Sequence, residues 1–281
     1  MDVAIKTIRL YVDSSDQSQK HMKYAARELY TWSKCRHPNV QELLGLVMFR
    51  DQIGMVAAWE SNGDLPRYLE RNTNTDRCRM SVQIIEGLSY LHKLGVVHGD
   101  LKGANVLISE NGSPRLADFG NAASKELTLR FTQASTKGSF SPRWTAPELF
   151  EDTKCNVQAD IYALGMETLT GEVPFPDKQD HQVIYSVMFK RLQPTRPEAH
   201  IPTGSKDGNK LWSLLQWCWE YKPDKRPSAA EVHKTVSQRR RVRSACDATN
   251  SSPIDEADYS SRSLQRRYSK RIVMDYTDPK P

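Results

Sequence analysis

No stretch of this 281-residue chain approaches the roughly 18 consecutive apolar residues that cross a bilayer as a helix, which excludes that class of membrane protein. The opening MDVAIKTIRLYVDSSD has neither a basic start nor a long apolar run, so no secretory leader is read there. Cysteine is scarce and odd in number: Cys35, Cys78, Cys155, Cys218 and Cys246, with no CxxC pair. That argues against disulfide frameworks and zinc ribbons. A reducing compartment is expected, the cytoplasm first and the nucleus as the alternative. No segment repeats at the periods of solenoid proteins. Concentrated charge of one sign is missing from most of the chain as well. The formal net charge is +6, but residues 238–281 hold ten Lys or Arg against six Asp or Glu, which leaves +2 for the first 237 residues. Nucleic acid is not an expected partner of such a body, because phosphate backbones are bound by clustered cations.

What is present is an ordinary core diluted by a polar end. The AVILMFWYC set makes up 38% of the chain and Gly adds 14 residues, slightly under the globular norm. Apolar periodicity runs to about Ser237. Beyond it the chain is poor in aliphatics and rich in Ser, Arg and Asp, a composition that cannot bury enough surface to offset chain entropy. Residues 239–281 are therefore expected to be a disordered basic tail after a folded domain at 1–238. Within that domain, residues 1–60 hold strand-like runs around one helix. A strand is expected at 3–10 through Val3, Ile5 and Ile8. The helix is offered N-caps by Ser14, Ser15 and Asp16 and carries Tyr24, Leu29 and Trp32. Strands at 44–49 and 53–58 flank a turn at Arg50, Asp51 and Gln52. From about Leu65 helices dominate. Spacing predicts one over 80–92, with Ile84, Ile85, Leu88 and Leu91 on one face and Gly95 as its stop. Others are predicted over 160–170, stopped by Gly171, and over 210–220, with Trp217, Cys218 and Trp219 in the core. A small lobe (1–60) before a larger helical lobe (65–238) is an α+β arrangement with a cleft between.

The polar residues that carry chemistry gather in His98-Gly99-Asp100-Leu101-Lys102-Gly103-Ala104-Asn105, then in Asp118-Phe119-Gly120, and later in Ala146-Pro147-Glu148. Two Asp and one Asn on short turns suit a hard cation such as Mg²⁺, which keeps water and takes substrate phosphates as remaining ligands. Lys102 adds a compact cation for charge that develops on a phosphoryl group.

These runs resemble the protein-kinase landmarks H-R-D-L-K-x-x-N, D-F-G and A-P-E. The five matches His98, Asp100, Leu101, Lys102 and Asn105 would coincide by chance on the order of (1/20)⁵ at any start. Val3-Ala4-Ile5-Lys6 is similar to the family's third-strand V-A-I-K. Glu28 stands 22 residues on, where the family places the Glu that pairs with that Lys. Asp160 and Arg226 match two further family positions. The resemblance covers about 1–236. The wording RELYTWSKCRHPNV and the Lys102 loop are similar to the tyrosine-kinase-like group, whose members mostly modify Ser or Thr, and a fungal source is suggested too. The resemblance implies a two-lobed protein-kinase-like fold with a truncated small lobe and a mainly helical large one. It implies transfer of the ATP γ-phosphoryl group to Ser/Thr hydroxyls of protein substrates, with ATP and Mg²⁺ as cofactors. Lys6 would hold the α- and β-phosphates and Glu28 would orient Lys6. Asp100 would accept or orient the substrate hydroxyl proton, Lys102 would contact the γ-phosphate, and Asn105 and Asp118 would hold Mg²⁺. The run 53–65 resembles the hinge. Ala57 would then gate an open back pocket, and Ala58, Trp59, Glu60 and Asp64 would contact the nucleotide.

Two departures stand out. Gly99 occupies the place of an Arg that in most kinases receives an activation-loop phosphate, so activity is expected to depend less on loop phosphorylation. The segment 121–145 still holds Thr128, Thr132, Ser135, Thr136, Ser139 and Ser141. Second, no G-x-G-x-x-G hairpin precedes Val3, which would leave the first strand with an exposed edge and the phosphates facing water. Two readings stay open: an intact kinase with a mis-assigned start, or a catalytically impaired pseudokinase acting as a protein-interaction module. Away from the chemistry, Glu148 and Arg226 are expected to form a buried salt bridge. Asp160 is expected to accept backbone N–H groups of the catalytic turn, and His98 to brace it. Arg143, Trp144 and Thr145 are expected to shape a peptide-docking loop.

Overall fold

The apolar periodicities resolve into a small sheet with one helix, joined to a mainly helical part, in a computed structural model that describes residues 1–7, 16–50, 52–124, 141–151, 155–167 and 173–237. Strand β1 (Val3–Thr7), helix α1 (Asp16–Ser33), β2 (Leu43–Phe49) and β3 (Gln52–Ala58) form the small part. The sheet is antiparallel in the order β1-β3-β2. Gly54 allows close packing at the central strand, because a Cβ there would stand 2.5 Å from Ile5 Cγ2. Phe49 pairs with Gln52, and Arg50 takes φ +50°. Gln52, expected in the turn, therefore already belongs to β3, since a tight hairpin needs only two linking residues. Ile8 and the caps Ser14 and Ser15 lie outside the described residues.

The larger part opens with α2 (Leu65–Arg71) and α3 (Arg77–Lys93). Helix α3 begins three residues before the predicted start because Asp76 caps it, accepting from Arg79 N at 2.9 Å. Ile84, Ile85, Leu88 and Leu91 are buried along it, and Gly95, at φ +70°, turns the chain away. Fully burying each such side chain contributes about 1.5–3 kcal/mol. Short strands follow: β4 (Val96–Val97) pairs with β7 (Ala123–Ser124), and β5 (Val106–Ile108) with β6 (Pro114–Leu116). Then come α4 (Glu148–Glu151), α5 (Val157–Glu167), α6 (Asp180–Met188), α7 (Lys206–Cys218) and a last helix, α8, at 229–237.

One core cluster runs from Trp32 and Met55 through α3 to Phe119 and Ile161, so the small sheet shares its interior with the larger part. The link between α1 and β2 is stitched to β6 as well: Gln41 N donates to Leu116 O at 2.8 Å, and Leu116 N to Asn39 O at 2.9 Å. A second cluster, around Tyr162, Val183 and Trp219, packs α5, α6 and α7. The end of α7 corrects one expectation. Cys218 and Trp219 are buried, but Trp217 is 41% exposed and donates its Nε1–H to Lys225 O at 2.7 Å. Successive helical residues point about 100° apart, so three in a row cannot share one core face. Burial pushes the Cys218 thiol up to about 12, in keeping with an inert packing residue. No helix among the described residues is long and apolar enough to cross a membrane. Gly171, the tail at 239–281 and the hydroxyls Thr128, Thr132, Ser135, Thr136 and Ser139 lie outside the described residues.

Candidate active site

The period of two along β1 buries Ile5 and sets Lys6 on the other face of the strand. There Lys6 Nζ meets Glu28 Oε1 of α1 at 2.7 Å and Asp118 Oδ1, just after β6, at 2.8 Å. Burial opposes the charge on Lys6, but the Asp118 and Glu28 carboxylates outweigh it and hold the ammonium well above the ordinary lysine range. Burial lifts the Glu28 carboxyl, and Lys6 offsets this only in part. For Asp118 burial also pushes upward, yet Lys6 and the Gly120 N–H bring it below the usual carboxylate range. The Glu28 side chain is 9% exposed and that of Asp118 47%. Glu28 is thus the anchored partner and Asp118 the open one.

Local backbone sets this up. Asp118 has φ +63°, a region that non-glycine residues rarely adopt and that costs on the order of 1 kcal/mol. A Cβ on Gly120 would stand 3.3 Å from Asp118 Oδ1, so glycine keeps the carboxylate uncrowded. Phe119 lies in the interior between Trp32 and His98, at centroid distances of 6.1 and 5.6 Å. Trp32 stands one helical turn after Glu28, so the contact that seats Phe119 also sets α1 over Lys6.

The second group is the turn at 98–105. Lys102 Nζ donates to Asp100 Oδ2 and to Ser141 Oγ, both at 2.9 Å, and Ser141 Oγ donates to Asp100 Oδ1 at 3.0 Å. Asn105 Nδ2 donates to Asp100 O at 2.8 Å and Oδ2 at 3.1 Å. The turn hangs on buried Asp160 of α5, whose carboxylate accepts His98 N at 2.8 Å and Gly99 N at 2.9 Å and meets His92 Nε2 at 2.9 Å. His98 is a brace: Nε2 donates to Ala117 O at 3.0 Å, and Nδ1 faces Asp100 N at 3.4 Å. Gly99 has φ +79°, and a Cβ there would stand 2.5 Å from Asn121 O. Backbone geometry therefore favours glycine at the position where the family has Arg. Beside Asp100 opens a hollow walled by Leu101, Trp144, Thr145 and Leu149 among others. Arg143 does not face that hollow's chemistry. It clasps the chain ahead of α6, donating to Pro174 O, Phe175 O and Lys178 O and pairing with Asp180 at 2.9 Å.

The hinge residues are more occupied than the resemblance implies. Ala58 O already accepts from Gln41 Nε2 at 2.7 Å, although a carbonyl keeps a second lone pair. Trp59 N donates to Asp2 O at 3.0 Å, so it is not offered to a base. The Glu60 side chain is buried against Arg115 at 2.8 Å, and burial raises its pKa more than Arg115 lowers it. Asp64 caps α2, accepting from Arg67 N at 3.0 Å, because a helix start needs an acceptor there; a carboxylate has further lone pairs for a second contact. Ala57 is buried in β3. Three participants were not singled out in the sequence: Ser141 as the bridge between Asp100 and Lys102, Gln41 beneath the hinge, and Arg115 against Glu60.

Asp118 Oδ2 and Asn105 Oδ1 carry no hydrogen bond among the described residues. Two oxygens completed by nucleotide phosphates and water suit Mg²⁺. No group of three His, Cys, Asp or Glu among the described residues would hold a metal by itself, so such a cation would need the nucleotide to complete its shell. The protein kinase domain family model matches residues 1–236, and the chain belongs to that family. Serine/threonine-protein kinase STY46 of Arabidopsis thaliana is 31% identical over 84% of this chain and 40% of its own length. Serine/threonine-protein kinase 12 of the same plant is 29% identical over 84% and 51%. The tyrosine-protein kinase transforming protein Abl of Abelson murine leukemia virus is 30% identical over 83% and 30%. The chain spans about half or less of the length of these relatives.

Proposed function

We propose that this chain is a protein serine/threonine kinase. The observation that carries the reading is the Lys6 ammonium bound at once to anchored Glu28 and open Asp118. The names of two of the relatives support the choice of Ser/Thr. ATP bound with Mg²⁺ supplies the transferable phosphoryl group and a cation that offsets its charge. Glu28 holds Lys6 where it binds phosphate oxygens, and Asp118 with Asn105 holds the cation. Asp100 Oδ1 takes the proton of the substrate hydroxyl, from the side where Ser141 Oγ stands 3.0 Å away. As the new O–P bond forms, the bond to the leaving diphosphate breaks, and Lys102 offsets the charge that moves across. Positioning and charge supply most of the rate; of the groups named, Asp100 alone changes a covalent bond, gaining the hydroxyl proton and releasing it to water after transfer.

The same proposal places the chain in the tyrosine-kinase-like group of a fungal source, in the cytoplasm or the nucleus, with 239–281 as a basic tail. The test is to supply γ-labelled ATP, Mg²⁺ and a generic protein substrate to the full chain and to separate the phosphoamino acids after acid hydrolysis. Label in phosphoserine or phosphothreonine is expected. Label only in phosphotyrosine, or none, overturns the reading.

A further inference from the structure

Helix α6 ends in a surface that the described chain leaves bare. Phe189, its C-cap, is 75% exposed, Tyr185 one turn earlier 54%, and Leu192 43%. The two rings stand 5.3 Å apart. Single exposed apolar residues are ordinary, whereas a contiguous group ringed by charge marks a contact surface. Two cations supply the charge: Lys190 Nζ lies 5.3 Å from the Tyr185 ring centre, and the Arg191 guanidinium 4.7 Å from that of Tyr221. Neither meets a carboxylate among the described residues. The stretch 181–197 holds three Lys or Arg and no Asp or Glu. The third cation, Arg196, is already engaged by Ile201 O and Pro202 O. The surface therefore fits an extended segment that joins several carboxylates to apolar anchors.

We propose that its occupant is the chain's own segment 254–259, Ile254-Asp255-Glu256-Ala257-Asp258-Tyr259, with its carboxylates on Lys190 and Arg191 and its apolar ends against Tyr185, Phe189 and Leu192. Three observations single it out. Residues 238–281 hold six acids, and three of them fall within these six positions. No Lys or Arg occurs from 244 to 261, so this is an acidic island in a basic tail. Seventeen residues lead from Ser237 of α8 to Ile254, enough to reach about 56 Å when extended. A domain of this size has a radius of gyration of about 18 Å, which brings α6 within range. Tethering raises the local concentration of the segment to about the millimolar range, so individually weak contacts suffice. This docking is independent of phosphotransfer.

Zero-length carbodiimide coupling of the full chain tests it, because the reagent joins a carboxylate to an ammonium only in direct contact. An equal mixture of ¹⁵N-labelled and unlabelled protein distinguishes coupling within a chain from coupling between chains. The expected product joins Lys190 to Asp255, Glu256 or Asp258 of the same chain. Phe189→Ser is expected to cut its yield at least tenfold while the unfolding midpoint stays put, since Phe189 is largely exposed. The triple change Asp255→Asn, Glu256→Gln, Asp258→Asn leaves α6 intact and is expected to abolish the product. Coupling at Lys190 no more frequent than at exposed Lys206 or Lys222 overturns the proposal. Coupling only between labelled and unlabelled chains overturns it too, in favour of a second copy as occupant.

Discussion

At Arg226 the guanidinium spends all five N–H donors inside the protein, on Glu148 at 2.7 and 2.8 Å and on the carbonyls of Gln158, Glu220 and Tyr221. At Lys6 an ammonium meets two carboxylates, one of them nearly half exposed. The Arg226 side chain is sealed at 0% exposure, whereas that of Lys6 is open at 36%. The two sites use the same attraction for different ends. A saturated, enclosed pair ties α4 to the segment after α7 and has nothing left to offer a ligand. A pair with an open carboxylate keeps coordination capacity in hand and gives up stabilisation for it.

The sharpest way to break this comparison is Arg226→Ala. Leaving Glu148 unpaired is expected to cost about 3–5 kcal/mol, read as a lower urea midpoint. A loss under about 1 kcal/mol would make the enclosed pair no different from a surface one. Asp118→Asn is expected to do the reverse. Turnover should fall about 10²–10³-fold, with stability changing by no more than about 1 kcal/mol because that carboxylate is nearly half exposed. Lys6→Met should lose turnover likewise but cost more stability, since it leaves buried Glu28 unpaired. Gly99→Ala is expected to cost about 1–2 kcal/mol, from φ +79° and the crowded Asn121 carbonyl. It would sharpen the view that the turn's backbone, and not a missing phosphate partner alone, selects glycine there.

The smallest effect is on pH dependence. Asp118 has a depressed pKa, so its contribution is whole above its ordinary value of 3.8 and is lost as the pH falls through the lower native value. Glu28 has the opposite sign: its raised native pKa means that its ionisation costs stability as the pH rises through that value. Asp118→Asn is therefore expected to flatten the acid limb below about pH 4, measured as urea midpoints against pH. An unchanged limb would contradict the pairing with Lys6.

Long periodic segments were legible in the sequence. Helices α1 and α3 and strands β2 and β3 lie where apolar spacing puts them, with ends displaced by caps such as Asp76 that act outside the period. The two- and three-residue strands β4 to β7 were not, because so few residues carry no period. The residues of the candidate site were legible through motifs, and the structure brings Lys6, Glu28 and Asp118 together as it does Asp100, Lys102 and Asn105. The cap role of Asp64 at the start of α2 was not legible, because a helix cap and a ligand contact ask for the same carboxylate. Ser141 could not be told from the other hydroxyls of 121–145, since its partners are some forty residues away. Trp217 was misassigned by reading three neighbours as one face.

The most direct measurement compares Mg²⁺ATP-dependent phosphotransfer by the full chain and by Asp118→Asn, at matched folded fraction. A site whose open carboxylate serves the reaction should turn over and lose about 10²-fold or more in the variant. Equal turnover in the two proteins, or none in either, would contradict it.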